Sequence, residues 1–197
     1  MTSMKIRRKT IMATNPMKVI TGKKTRWSYA NVWEPKAMNG GEAKYSVSLI
    51  IPKSDKETIK KIKDAIQAAY VEGQTKLKGN GKSVPSLENI ISPLHDGDIK
   101  RPDDPAYANS YFVNAKSSTA PGIVDADRQI IIDRSEVYSG VYGRASITFY
   151  AFNKNGSKGI ACGLNNLQKI SDGEPLGGKS RAEDDFAESD FDEDMLD

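Results

Sequence analysis

The sequence contains one cysteine, Cys162, and one histidine, His95. A single thiol excludes an intramolecular disulfide, and one thiol with one imidazole cannot furnish a Cys/His zinc site. A Ser-His-Asp hydrolase would have to be built on His95. Aromatic residues make up 8% of the 197 residues, and only two of them are tryptophan. No run approaches the roughly eighteen apolar residues of a membrane span. The N-terminal stretch Met1–Thr10 is basic, but no apolar segment follows it, so neither a membrane anchor nor a secretory leader is expected. With 38% hydrophobic and 28% charged residues, the chain reads as a polar protein with one modest core and some sequence outside it.

One further absence is local. No Lys or Arg follows Arg181, and residues 183–197 carry nine acids. The preceding 182 residues have a formal charge of +12, the last fifteen −9. A basic body fits a polyanionic partner, and an acidic tail could compete for the same surface or merely keep the body soluble.

Three regions are expected: a basic flexible arm over 1–16, a folded body over 17–182 and a disordered acidic tail over 183–197. The arm holds Lys5, Arg7, Arg8 and Lys9 and ends at the turn signal Asn15-Pro16. In the body, alternation predicts strands over Thr25–Tyr29 and Tyr45–Ile51, with Trp27 and Tyr29 sharing one face. A capping box of Ser54 and Glu57 opens one helix, in which Ile59, Ile62, Ile66, Ala69 and Tyr70 recur at helical spacing; Gly73 closes it. Residues 76–106 read as loop. Strands follow at 110–116, 141–152 and 160–170, a hairpin is open at 122–132, and Asn153–Ser157 is a turn. Many strands with one inserted helix predict a mainly-β fold, a small five-stranded barrel.

The 141–152 strand carries the clearest chemistry. Val141, Gly143, Ala145, Ile147, Phe149 and Ala151 share the apolar face; Tyr142, Arg144, Ser146, Thr148, Tyr150 and Phe152 share the other. Rings that stack on unpaired bases, interleaved with cations that hold phosphates, suit a single-stranded nucleic acid. Candidate stacking residues are Tyr142, Tyr150, Phe152, Trp27, Tyr29 and Trp33. Candidate phosphate ligands are Lys23, Lys24, Arg26, Lys36, Arg144, Lys154 and Lys158. One of the two tryptophans is expected to be core. In the tail, Phe186 and Phe191 among acids, with Asp192, Glu193 and Asp194, suit docking on a basic surface.

Two motifs compete with this reading. Gly173-Glu-Pro-Leu-Gly-Gly-Lys-Ser180 matches the P-loop pattern, but seventeen mostly polar residues follow it, nine of them acidic, and cannot complete a βαβ unit. A hydrolase using Lys179 is therefore disfavoured. His95-Asp96-Gly-Asp98 with Asp103-Asp104 could suggest a metal-dependent nuclease, although Asp-Gly and Asp-Asp-Pro are ordinary loop chemistry. Neither a metal nor another cofactor is expected. Cys162 reads as a small core residue.

The segments Trp27-Ser-Tyr-Ala-Asn-Val-Trp-Glu-Pro35, Lys44-Tyr-Ser-Val-Ser-Leu-Ile-Ile-Pro52, Tyr138-Ser-Gly-Val-Tyr-Gly-Arg144 and Lys158-Gly-Ile-Ala-Cys-Gly-Leu-Asn-Asn166 resemble a family of single-stranded DNA-binding proteins encoded by tailed phages and prophages. The resemblance runs from about Met17 to Asp185. It implies an OB-fold with an acidic C-terminal tail and a non-enzymatic role in phage DNA replication and recombination, in the host bacterial cytoplasm. The tail would compete with DNA and recruit a polymerase or helicase; a homodimer is left open. The alternative from another class is an assembly protein that binds nucleic acid only weakly and docks such partners through its tail.

Overall fold

A computed structural model describes residues 14–37 and 39–177 of the chain. Eight strands are present: β1 (Lys18–Ile20), β2 (Arg26–Lys36), β3 (Lys44–Pro52), β4 (Leu94–Asp96), β5 (Ser110–Ser117), β6 (Gly122–Val124), β7 (Tyr142–Lys154) and β8 (Ser157–Ser171). Three helices, α1 (Lys56–Glu72), α2 (Gln74–Lys78) and α3 (Gly97–Lys100), all lie between β3 and β5. Five strands form a closed ring, β7–β2–β3–β5–β8 and back to β7, in which only the β5–β8 contact is parallel. This is the OB-fold barrel. β1 extends it on β7, β4 on β5 and β6 on β8.

The wall of the barrel follows from alternation. Along β7, Gly143, Ala145, Ile147, Phe149 and Ala151 are buried while the intervening residues face outward. Val47, Leu49 and Ile51 of β3 and Val113 and Ala115 of β5 fill the same interior. Trp27 is fully buried there, and its Nε1–H donates to the Gly143 carbonyl at 3.2 Å. Any side chain at Gly143 would collide with the indole, because a Cβ would lie 2.6 Å from Trp27 Cζ2. α1 packs Ile59, Ile62, Ile66 and Ala69 against this core.

A second, smaller core sits outside the barrel. Ile50 and Phe112 face outward from β3 and β5 and are covered by Tyr107 from the segment between α3 and β5. The Tyr107 hydroxyl and Ser48 Oγ are 2.9 Å apart. This cover, residues 97–109, is pinned by Lys53, whose ammonium donates to Asp96 at 3.0 Å and Asp98 at 2.8 Å. Those hydrogen bonds raise the Lys53 pKa, Asp98 contributing first, and the Asp98 carboxyl is correspondingly lowered, mainly by Lys53 and then by the Asn109 N–H. The acids that suggested a nuclease thus hold a loop in place.

Several expectations need correction. The N-cap of α1 is Asp55, whose carboxylate accepts from the Thr58 N–H at 3.2 Å. The loop-rich stretch contains α2, β4 and α3, too short for periodicity to show. The 122–132 hairpin is reduced to a single bridge, Val124 to Ile130, because β6 pairs instead with β8 in parallel. Trp27 and Tyr29 do not share a face: Tyr29 has φ +47° at a register shift between Ser28 and Asn31, which turns it outward. The β7–β8 turn narrows to Asn155-Gly156 with φ +53° and +82°, the pair of positive values that a two-residue hairpin of type I′ requires.

Trp27→Ala should destabilise the protein by about 3–5 kcal/mol, whereas Tyr29→Ala should leave the unfolding midpoint in urea nearly unchanged. Equal losses at the two positions would contradict this assignment of inside and outside.

Candidate nucleic-acid interface

The five barrel strands carry one acid, Glu34, against Arg26, Lys36, Lys44, Lys116, Arg144, Lys154, Lys158 and Lys169. Glu34 is itself paired with Arg134 at 3.1 Å. A groove crosses this surface. One depression of about 280 Å³ is lined by Tyr29, Asn31, Lys36, Ser46, Ser48 and Arg101. A second, of about 310 Å³, is lined by Lys44, Pro93, His95, Ser117, Tyr150 and Phe152. They join at Asn114 and Lys116, which line both.

Strand register explains the floor. Asn31 lies opposite Ser46, Ser46 opposite Lys116, Lys116 opposite Gly163 and Gly163 opposite Thr148. Mostly short residues therefore run across all five strands, with the Lys116 ammonium rising from the middle. Gly163 leaves the flank of Tyr150 open, since a Cβ there would reach Tyr150 Cε1 at 3.6 Å. Tyr150 and Tyr29 are 49% and 55% exposed, so each presents a ring that the core does not claim.

Tyr29 is held by Arg101, a residue with no signal in the sequence pattern. Arg101 Nη1 donates to the Tyr29 hydroxyl at 3.2 Å, and its guanidinium carbon lies 5.2 Å from both the Tyr29 and Tyr107 ring centres and 5.7 Å from that of Phe112. The cation is thus packed among three rings at the groove wall. The positive φ of Tyr29 costs of order 1–2 kcal/mol for a residue with a Cβ, and such strain concentrates where a side chain is being aimed.

His95 stacks on Phe112, ring centres 5.1 Å apart. Its pKa is lowered from the ordinary value by burial first, then by Lys100 and Arg101, so the imidazole stays neutral at neutral pH. Cys162 lies under the groove, its thiol pushed strongly up by burial.

The sequence candidates separate into groups. Tyr29, Lys36, Tyr150 and Phe152 line the groove. Lys154 lies on the outward face of β7 with Tyr150 and Phe152, and Lys158 is near the start of β8, opposite Asn153. Trp27 is removed from the list, because a fully buried indole cannot stack on a base. Trp33 is half-buried, with Arg134 over its ring at 5.9 Å, and lies outside both depressions. Tyr142 and Arg26 stack on each other at 5.2 Å, and Arg26 donates to the Gly140 and Glu174 carbonyls. They fasten the segment after β8 to the barrel. Arg144 is held by Gln168 Oε1 at 2.6 and 2.9 Å. Lys23 and Lys24 are exposed in the turn before β2, near the start of α1. One face of β7 thus serves different tasks, because Tyr142 and Phe152 are about 33 Å apart along an extended strand. Arg101, Lys44, Lys116, His95 and Asn114 were missed.

The described part of the P-loop letters, residues 173–177, packs on the barrel and its outer core. Gly173 sits against Gly140, Leu176 joins the outer core and its N–H donates to the Ser139 carbonyl at 2.8 Å. Lys179, Ser180, the arm cations Lys5, Arg7, Arg8 and Lys9 and the tail candidates Phe186, Phe191, Asp192, Glu193 and Asp194 lie outside the described residues. Among the described residues, no helix is long and apolar enough to cross a membrane.

A family model described as the single-stranded DNA-binding protein of Enterobacter phage Enc34 matches residues 17–196. The chain belongs to this family. It is also 30% identical over 161 residues to putative protein p50 of Acyrthosiphon pisum secondary endosymbiont phage 1, covering 78% of this chain and 83% of the relative. The single-stranded DNA-binding protein of bacteriophage Enc34, solved in complex with single-stranded DNA, superposes with a TM-score of 0.68 at 28% identity, over 82% of this chain and 90% of that one. Bacteriophage T7 gp2.5, a single-stranded DNA-binding protein, shares the fold at a TM-score of 0.59 and 16% identity, over 91% and 97% of the two chains.

Followed by NMR, the His95 imidazole should titrate with a midpoint below 6.5, its ordinary value. Removing Lys100 and Arg101 together should raise the midpoint only part of the way, since burial is the larger cause. A midpoint at or above 6.5 in the intact protein would contradict the placement of His95.

Proposed function

We propose that this protein binds single-stranded DNA across the groove between Tyr29 and Phe152 and coats exposed strands during phage DNA replication and recombination in the host cytoplasm. The observation that carries the proposal is the juxtaposition of two outward rings, Tyr29 and Tyr150, with Lys36, Lys44 and Lys116 on barrel strands whose one acid is already paired, and with Arg101 on the cover beside them. Membership of the Enc34 family and the likeness to its DNA-bound structure support it. OB-folds use this face, the second and third barrel strands with the loops beside them, for oligonucleotides; here those strands are β3 and β5.

The mechanism is electrostatic capture followed by stacking. Lysines displace counterions from the phosphates, a gain that does not depend on sequence. The bases then lie on Tyr29 and Tyr150, and every base offers a π-face. The Asn31 and Asn114 amides can meet base edges without imposing one sequence.

The acidic tail is assigned a regulatory part in the same reading, and the body, arm and tail three separate roles. Gly177 lines a depression with Tyr29 at the groove's end, and a chain leaving from there would bring the nine acids of residues 183–197 within reach of the cations. A short tether gives an effective concentration in the millimolar range. Strands would displace the tail and present Phe186, Phe191 and the acids at 192–194 to a polymerase or helicase.

Tyr29→Ala and Tyr150→Ala should each weaken binding of single strands by about 1–3 kcal/mol, and Lys116→Gln should lower the salt slope by about 0.7. Tyr142→Ala should bind as the wild type does. Fluorescence titration over a salt series tests all four; wild-type binding by both groove variants would place the DNA elsewhere.

Deleting residues 183–197 should tighten binding at low salt, with a gain that shrinks as salt screens the tail. Equal affinities for the intact and shortened chains at low salt would remove the competition.

A further inference from the structure

Next to the groove, two segments distant in sequence are fastened together. The Asn153 side-chain amide donates to the Lys76 carbonyl at 3.1 Å, and Lys158 Nζ donates to the Lys78 carbonyl at 3.3 Å. α2 is thereby docked on the β7–β8 turn by its C-terminal carbonyls. The fit is close: at Gly79, which has φ +52°, a Cβ would lie 2.6 Å from Asn153 Nδ2. Any side chain there would meet both a strained backbone and the amide that makes the joint.

The joint gathers charge of one sign. Residues 73–87 contain Lys76, Lys78 and Lys82 and no acid; residues 137–171 contain no acid at all. Lys76, Lys78, Lys82 and Lys154 are exposed, and none of them forms an ion pair among the described residues. The contrast is α1, where Lys60 and Lys61 are paired with Asp64 and Glu57 at 2.6 and 2.8 Å. Concentrating lysines without counter-charge opposes their own packing, so a joint that brings them together suits an external polyanion. It lies at the groove's end: Phe152 lines the groove, Lys154 follows on the same face, and Gly159 places the turn against Phe152 and Ile91.

We propose that Lys76, Lys78 and Lys82, with Lys154 and Lys158, form a phosphate track that carries a single strand past Phe152 and over α2. The track has cations and no exposed ring, so it holds backbone without stacking bases. It rests on the reading of the groove as the DNA site and adds a second, purely electrostatic segment to it. Strands long enough to reach α2 gain affinity and salt dependence that strands confined to the groove lack.

The test compares full-length wild type with a Lys76→Gln/Lys78→Gln/Lys82→Gln variant, titrating oligothymidylates of about five and about sixteen nucleotides, the range of sites seen for OB-folds, over a salt series. The short strand should bind both proteins alike. The long strand should lose about tenfold in affinity at low salt and a salt slope of about 2, at roughly 0.7 per phosphate contact. A Lys60→Gln/Lys61→Gln control, drawn from the paired lysines, should match wild type. An unchanged long-strand slope in the triple variant overturns the track. So does a loss that vanishes when residues 183–197 are removed, since the lysines would then bind the acidic tail. Failure of the wild type to bind either strand would instead strike at the groove. Circular dichroism melting of the variant checks that the fold survives.

Discussion

Closure of the barrel by β7 and β8 is the constraint on which the rest depends. These strands pair along almost their whole length, yet β7 must also reach β2 and β8 must reach β5. A flat hairpin cannot do both. The register shifts after Tyr142 and after Ser146 supply the curvature, as bulges do, and between them the inward residues are small, Gly143 and Ala145. Into the room so left goes Trp27, whose indole is anchored to the backbone that makes the room. With the interior filled by the Trp27 and Phe149 rings and aliphatic side chains, the outward residues of the same strands are released from packing duty and can carry rings and cations.

The groove inherits its form from that closure. It runs across the strands, so each strand contributes only a few residues and no strand contributes a motif. The outer core of Ile50, Tyr107 and Phe112 builds one bank and fixes Arg101 over Tyr29. Lys53 secures the bank through Asp96 and Asp98. Two carboxylates beside a proposed anion site would ordinarily weaken it; the one ammonium they share offsets half of their charge. Glu34, the one acid on the barrel strands, is likewise answered by Arg134.

What could be read in the sequence follows the same division. The alternation along β7 predicted its inner and outer faces correctly, because a half-buried strand leaves a period of two. The barrel was legible from many strands and one long helix. Tyr29 was assigned the wrong partner face, since a bulge shifts the parity and leaves no mark in composition. Arg101, Lys116 and His95 were invisible as a group because they meet only when β3, β4 and β5 are side by side. Tyr142 and Arg144 were grouped with Tyr150 because the period identifies a face and says nothing about distance along it. One usable signal was overlooked: strands over 44–52, 110–117 and 142–171 that contain no acid at all, although acids make up 26 of the 197 residues.

This distribution of charge also bears on why the groove would favour single strands. A duplex hides its base faces in the stack and presents two rows of phosphates, so Tyr29 and Tyr150 would gain nothing from it and only the lysines would act. A single strand would engage rings and lysines together. The stacking contribution, about 1–3 kcal/mol per base, is therefore available to one form of DNA only, while the electrostatic contribution is common to both. The acidic competitor proposed for residues 183–197 would subtract from the common part. Subtracting equally from both forms leaves the stacked form bound and the unstacked form below threshold, so a tail that lowers every affinity can still sharpen the choice between them.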